Sequence, residues 1–115
     1  GRPASAGYSP LIQKALHVID KSYKEPISLN SVAEQLNITP QYLSRLFMKE
    51  MSRSFVDYLT SYRMERAKNL LQDTNMKINT IWVQVGYQDA KYFCTLFKKI
   101  TGVTPNQYRA SSPNM

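Results

Sequence analysis

Two stretches of this chain are versions of one another. Residues 39–49 read TPQYLSRLFMK and residues 89–99 read DAKYFCTLFKK. Tyr42 pairs with Tyr92, Leu43 with Phe93, Leu46 with Leu96, Phe47 with Phe97 and Lys49 with Lys99, with the polar caps Thr39 and Asp89 heading the two copies. A repeat constrains the fold strongly, because each copy must build the same supersecondary unit. Between them runs SFVDYLTSYRMERAKNLLQD, residues 54–73, with no Gly or Pro. Phe55, Tyr58, Leu59, Tyr62, Arg66 with Ala67, and Leu70 with Leu71 recur at steps of three and four, the period of an amphipathic helix. Ser54 suits its N-cap, and Asp73, Thr74 and Asn75 supply the stop.

Each copy sits behind a short helix. In the first half, Ser9-Pro10 opens a helix with apolar positions Leu11, Ile12, Ala15, Leu16, Ile19 and Tyr23, ended by Pro26. Ser28 caps a second helix over residues 29–36, with Val32, Ala33 and Leu36 inward. Asn37 suits a left-handed turn, and Thr39-Pro40 starts a third helix that runs to about Met51. A small residue, a turn residue four positions on and an apolar residue ten positions on make helix-turn-helix spacing, which holds the second helix proud of the surface. In the second half, Asn79 can cap, Ile81, Trp82 and Val85 point inward, and Gly86 takes the turn. Tyr87 and Gln88 lengthen that turn by one residue, and Asp89 caps a sixth helix ending near Gly102. Thr104-Pro105 opens a last short helix through Tyr108, with Arg109 to Met115 as a frayed end. No sustained two-residue alternation suggests a strand. The expected fold is all-α: seven helices in two helix-turn-helix units, residues 9–53 and 74–110, joined by a long central helix at 54–73, with a linker at 1–8 and a tail at 111–115.

Charge narrows the partner. The 115 residues carry a net charge of +7 and a pI near 9.6, which favours a polyanion, nucleic acid first. One cysteine excludes an internal disulfide and a multi-cysteine metal site, and fits a reducing cytoplasm. His17 stands alone on its helix without companions at ligand spacing, so neither a metal nor a cofactor is expected. No apolar run has membrane-spanning length, and the first residues lack the apolar stretch of a signal peptide. The opening Gly and small residues read as linker, and the chain as a fragment of a longer protein. No phosphate loop, nucleophile–base set or paired carboxylates point to an enzyme.

Val32-Ala33, Leu43-Ser44-Arg45-Leu46-Phe47, Phe55-Val56-Asp57-Tyr58-Leu59 and Tyr62-Arg63-Met64-Glu65-Arg66-Ala67 form one set of motifs. Leu70-Leu71, Val85-Gly86-Tyr87, Tyr92-Phe93, Phe97-Lys98-Lys99, Gly102-Val103-Thr104-Pro105 and Tyr108-Arg109 complete it. Together, over roughly residues 9–109, the chain resembles the DNA-binding domain of AraC/XylS-type transcription regulators. Within that family it is most similar to the C-terminal part of YesN-type response regulators. The resemblance implies two recognition helices in successive major grooves on one face of a duplex, and makes Arg63 a structural residue with an acidic or carbonyl partner. A central helix of about 18 residues spans roughly 27 Å, the scale of the ~34 Å groove repeat. Two departures stand out. Trp82 replaces a small residue and is expected to prise its helix pair apart or rotate it. Thr95 and Cys94 replace the family's usual basic residue and Ser, so the first unit is expected to read more sequence and the second to hold more phosphate.

On the third helix Arg45 faces away from Leu43, Leu46 and Phe47, and offers a bidentate donor pair for guanine. Its alternatives are a phosphate contact or a salt bridge to Glu50. Gln41, which can pair with adenine, and Ser44 share that face, with a solvated polar surface as the alternative. Lys91 and Thr95 are the base-contact candidates of the second copy, and Thr95 can touch a thymine methyl. Phosphate candidates are Ser28, Thr39, Lys49, Arg53, Asn79, Lys98 and Lys99, the charged ones serving otherwise for solubility. Tyr42 and Tyr92 read as core edge with a wet hydroxyl, or as base or sugar contacts. Trp82, Tyr87, Phe93 and Phe97 read as core. Cys94 fills space or acts as a redox switch. The implied partner is double-stranded DNA, with RNA polymerase as a further candidate and no membrane. The fragment is expected to be monomeric, with dimerisation and sensing in an N-terminal portion. The competing reading is a helical interaction module contacting RNA polymerase or another regulator. A-form RNA grooves are too deep and narrow for such helices.

Overall fold

The computed structural model describes residues 7–111, and these are all-α with no strand among them. The helices are α1 Pro10–Ser22, α2 Leu29–Gln35, α3 Pro40–Met51, α4 Phe55–Asp73, α5 Ile78–Gln84, α6 Ala90–Thr101 and α7 Pro105–Ala110. Residues 1–6 and 112–115, most of the expected linker and tail, lie outside the described residues. Most boundaries follow from side-chain caps. Ser9, Ser28, Thr39, Ser54, Asp89 and Thr104 each accept an N–H from the first turn that would otherwise lack a partner. Pro stands at the start of α1, α3 and α7, where it surrenders no hydrogen bond.

The chain divides into two compact units between Thr60 and Ser61, inside α4. In the first unit Ile12, Ala15 and Ile19 of α1, Val32 and Ala33 of α2, and Leu43 and Phe47 of α3 are fully buried. Phe55 of α4 closes that core at 5.7 Å from the Phe47 ring, with Tyr58 edge-on to the same ring at 5.6 Å. In the second unit the buried residues include Met64, Ala67 and Leu71 of α4, Ile81 of α5, Val85 at its C-cap, and Phe93 and Phe97 of α6. Pro105 of α7 is buried, and Tyr108 stands edge-on to Phe97 at 5.6 Å.

The repeat therefore reaches further than its two obvious copies. Ile12, Ala15 and Ile19 have the spacing of Met64, Ala67 and Leu71, and the Phe47–Tyr58 pair matches Phe97–Tyr108. The first turns of α4 do for one unit what α7 does for the other, and the rest of α4 repeats α1. This is why α4 has no single apolar stripe. Leu59 and Met64 are five residues apart, a step that runs of three and four do not produce, and Arg66 of the expected stripe is exposed.

Three sequence expectations need correction. Helix α1 stops at Ser22, ahead of Pro26: the Glu25 N–H turns back to the Ser22 carbonyl at 2.9 Å, and Glu25 itself, next to the proline, is the residue that the ring keeps out of helical geometry. Asn79 does not cap α5. That helix begins at Ile78 with Lys77 as its extended, uncapped leader, and Asn79 lies inside the first turn. Arg109 does not fray: it belongs to α7, and its Nε donates to the Leu71 carbonyl at 3.0 Å. Its Nη2 donates to the Thr74 carbonyl at 3.2 Å and the Leu70 carbonyl at 3.5 Å. The Leu71 carbonyl is one that the last turn of α4 leaves without a helical partner, the Thr74 carbonyl lies just past the helix, and the Leu70 carbonyl also accepts the Thr74 N–H and hydroxyl.

Candidate nucleic-acid interface

Two turns of the same construction carry the two reading helices. Asn37 takes a left-handed φ of 59° and Gly86 one of 99°. Past them the Ile38 N–H donates back to the Ala33 carbonyl at 3.0 Å, and the Tyr87 N–H to the Trp82 carbonyl at 2.9 Å. This five-residue return closes the first helix and redirects the chain. Thr39 then caps α3 directly, whereas Gln88 intervenes before Asp89 caps α6. At the far ends the left-handed residues are Ser52 (φ 60°) and Gly102 (φ 87°).

Burial of the apolar side decides what each helix offers to a partner. Leu43 and Phe47 turn inward on α3, which leaves Gln41, Ser44, Arg45 and Lys49 exposed in one stripe at helical spacing. Phe93 and Phe97 do the same on α6, leaving Lys91, Thr95, Lys98 and Lys99 exposed. All five base-contact candidates therefore lie on the outward stripes, three on α3 and two on α6. Among the described residues Arg45 has no hydrogen bond or ion pair, so its donors are free for a partner. The alternative salt bridge to Glu50 does not form. The Glu50 carboxylate accepts the Ser9 N–H at 2.7 Å, and that bond, with Lys49 as a lesser cause, holds its pKa below the usual glutamate range. An open hollow of about 470 Å³ beside the α3 stripe is lined by Leu29, Pro40, Gln41, Ser44 and Arg45.

The phosphate candidates separate. Lys49, Lys98 and Lys99 stand exposed at the flanks and far ends of the two stripes, and Thr39 at the head of α3. Ser28 is exposed, with its hydroxyl engaged in a reciprocal cap with Ser31. Arg53 is turned towards its own chain. It donates to the Asp57 carbonyl at 3.3 Å and lies 5.8 Å from the Tyr58 ring centre. Asn79 is exposed on α5.

Several side chains behave differently from the sequence reading. Tyr42 and Tyr92 are 42% and 58% exposed, so they are available at the margins of both stripes. Met48, which the sequence reading passed over, is 51% exposed on α3. The signal was present in the helical period, since Met48 lies one turn beyond Ser44. Arg63 is half-buried with its guanidinium 5.5 Å from the centre of the Tyr87 ring. Burial lowers the Arg63 pKa and raises that of the largely buried Tyr87 hydroxyl. Trp82 is partly buried, and its indole N–H is enclosed without an acceptor. The backbones of α5 and α6 run close over a shorter stretch than those of α2 and α3, where the counterpart residue Ala33 is fully buried. Cys94 is a free, half-buried thiol. No group of three or more metal-ligating side chains and no helix long and apolar enough to cross a membrane occurs among the described residues.

Comparison with known proteins gives this arrangement its relatives. The sequence model of a helix-turn-helix domain family matches residues 32–111. The C-terminal domain of AraT, a response regulator from Geobacillus stearothermophilus, superimposes with a TM-score of 0.90 at 44% identity, over 92% of this chain and 88% of that one. The C-terminal domain of the two-component response regulator yesN from Fusobacterium nucleatum gives 0.84 at 40% identity, over 88% and 99%. The arabinose operon regulatory protein of Escherichia coli is 35% identical over 82% of this chain. The chain spans 31% of the length of that regulator and 14% of a helix-turn-helix regulator from Bacillus subtilis. With two helix-turn-helix units, matched turns and this extent of likeness, the chain belongs to the AraC-type helix-turn-helix family.

Proposed function

We propose that this chain binds double-stranded DNA in a sequence-specific way, as the DNA-binding part of a bacterial transcription regulator. The observation that carries the proposal is the pair of exposed polar and basic stripes on α3 and α6, each following a left-handed turn closed by the same backbone return, in a chain of net charge +7. The arabinose operon regulator and the two response regulators supply the regulatory context. Gln41, Ser44 and Arg45 read base edges from α3, with Arg45 directed at guanine. Lys91 and Thr95 do so from α6. Lys49, Lys98 and Lys99, together with the N-terminal ends at Ser28 and Thr39, hold phosphates and set register without carrying sequence information. The α6 stripe holds three lysines and the α3 stripe one arginine and one lysine, so α6 supplies more of the salt-dependent attraction and α3 more of the selectivity. The domain works as a non-catalytic monomer, and sensing belongs to other parts of the full protein.

Selection of this chain on a pool of random duplexes, followed by sequencing, tests the proposal. Two short enriched motifs about one helical turn apart are expected, and Arg45→Ala relaxes one of them. Contact with about six phosphates gives a slope of log K on log salt near −5. Binding without any enriched sequence would refute the reading.

A further inference from the structure

One position on the α3 stripe is apolar. Met48 is 51% exposed although the core of its unit is filled on the opposite side by the fully buried Leu43 and Phe47. Gln41 and Met48 are two helical turns apart, which places them within about 20° of each other around the axis and about 10 Å apart along it. Ser44 and Arg45 lie between them. Successive bases on one strand rise 3.4 Å, so the line from Gln41 to Met48 covers about three base steps. The corresponding residue of α6 is Lys98, so the two stripes share their geometry and differ here in chemistry.

We infer that Met48 is a specificity residue of the first reading helix and makes an apolar contact with the 5-methyl group of a thymine in the major groove. The inference rests on the DNA-binding reading above. A thioether donates no hydrogen bond and accepts only weakly, so it gains little from phosphate oxygens or from guanine and adenine edges. Among the groups that a major groove displays, the thymine methyl is the apolar one. The unbranched, polarisable Met side chain adapts to such a target without a fixed rotamer. The site read by α3 therefore carries a thymine about three steps from the base that Gln41 faces, on either strand.

Deoxyuridine removes that methyl and leaves every hydrogen-bonding group in place. In the selected duplex, each thymine of the tract whose preferences Arg45→Ala relaxes is replaced singly by deoxyuridine. Affinities are then measured for the unchanged chain, Met48→Ala and Met48→Leu. One replacement is expected to weaken the unchanged chain about fourfold, the worth of one buried methyl at ~0.8 kcal/mol. Met48→Ala should lose that penalty and Met48→Leu keep it. The inference is overturned if no replacement in the tract matters, or if the penalty persists in Met48→Ala. Either result leaves selective binding by the unchanged chain intact, and so is distinguishable from failure of the DNA-binding reading, in which no selected site exists. Selective binding that is untouched by Met48→Ala would likewise overturn the inference.

Discussion

Arg109→Ala should cost the second unit about 2–3 kcal/mol. The guanidinium donates to Leu71 O at 3.0 Å and to Thr74 O at 3.2 Å, both within the normal range, and reaches Leu70 O only at 3.5 Å. Hydrogen bonds to a charged group contribute about 1.5–3 kcal/mol each, and these part-buried ones belong at the low end. A cation at a helix C-terminus adds about 0.5 kcal/mol through the macrodipole. Water reaches some of the released carbonyls, which returns part of the total. Arg109→Lys should lose less, about 1 kcal/mol, because a point charge cannot present the fork that engages separate carbonyls together. Native-state hydrogen exchange supplies the regional readout: protection should fall at the last turn of α4 and in α7, while the amides of α2 and α3 keep theirs. Denaturant unfolding of the same variants gives the overall loss. A change below about 0.5 kcal/mol, or protection lost only from the first unit, would refute the capping argument.

Ser52 holds a left-handed φ of 60° where the second unit has Gly102. Ser52→Gly should therefore stabilise the first unit by up to about 1 kcal/mol, seen as a higher denaturation midpoint, and a lower one would count against strain at this position. The Glu50 pKa is lowered by the Ser9 N–H. The carboxylate thus favours the folded state above the ordinary glutamate range, and that contribution disappears as pH falls through the lowered value. The Ser9 amide resonance should report a titration below the ordinary glutamate midpoint, and a normal or raised midpoint would contradict the contact. Replacing Lys98 and Lys99 together by Ala should reduce the salt slope of DNA binding by about 2 without altering the preferred sequence. A shifted preference would mean that they touch bases.

Much of this fold can be read from local chemistry, and the parts that cannot are long-range. Hydroxyl caps, proline starts and the left-handed residues Asn37 and Gly86 act within a few residues, so the sequence locates α2, α3 and α6 closely. The outward stripes were legible for the same reason: once Leu43 and Phe47 are inside, the helical period places Arg45 outside. Arg109 was illegible because its acceptors lie more than thirty residues earlier in the chain, and no local pattern distinguishes a capping arginine from a fraying one. The full reach of the repeat was hidden because Ile12, Ala15 and Ile19 share only spacing with Met64, Ala67 and Leu71, and because the matching elements sit in differently divided helices. Met48 was passed over, although periodicity alone places it on the outward side of α3 with Ser44 and Arg45.

The two units show which positions a duplicated scaffold constrains and which it releases. Residues that face the core or the turn keep their character between copies: Leu43 and Phe93, Phe47 and Phe97, Tyr58 and Tyr108, and the left-handed Asn37 and Gly86. Each is held by close packing or by a backbone geometry that few residues tolerate. The outward positions carry no such constraint and have diverged: Gln41 against Lys91, Ser44 against Cys94, Arg45 against Thr95 and Met48 against Lys98. Trp82 against Ala33 is the exception among inward positions. It accompanies a shorter close approach of α5 to α6 and an indole N–H enclosed without an acceptor. Enclosing such a donor costs about 1–3 kcal/mol, so the second unit accommodates a residue that its packing alone does not favour. On the proposed function the outward divergence gives the two helices different tasks: Arg45 of α3 offers a rigid paired donor set for a base edge, whereas α6 joins its base-edge candidates Lys91 and Thr95 to the flexible phosphate contacts Lys98 and Lys99.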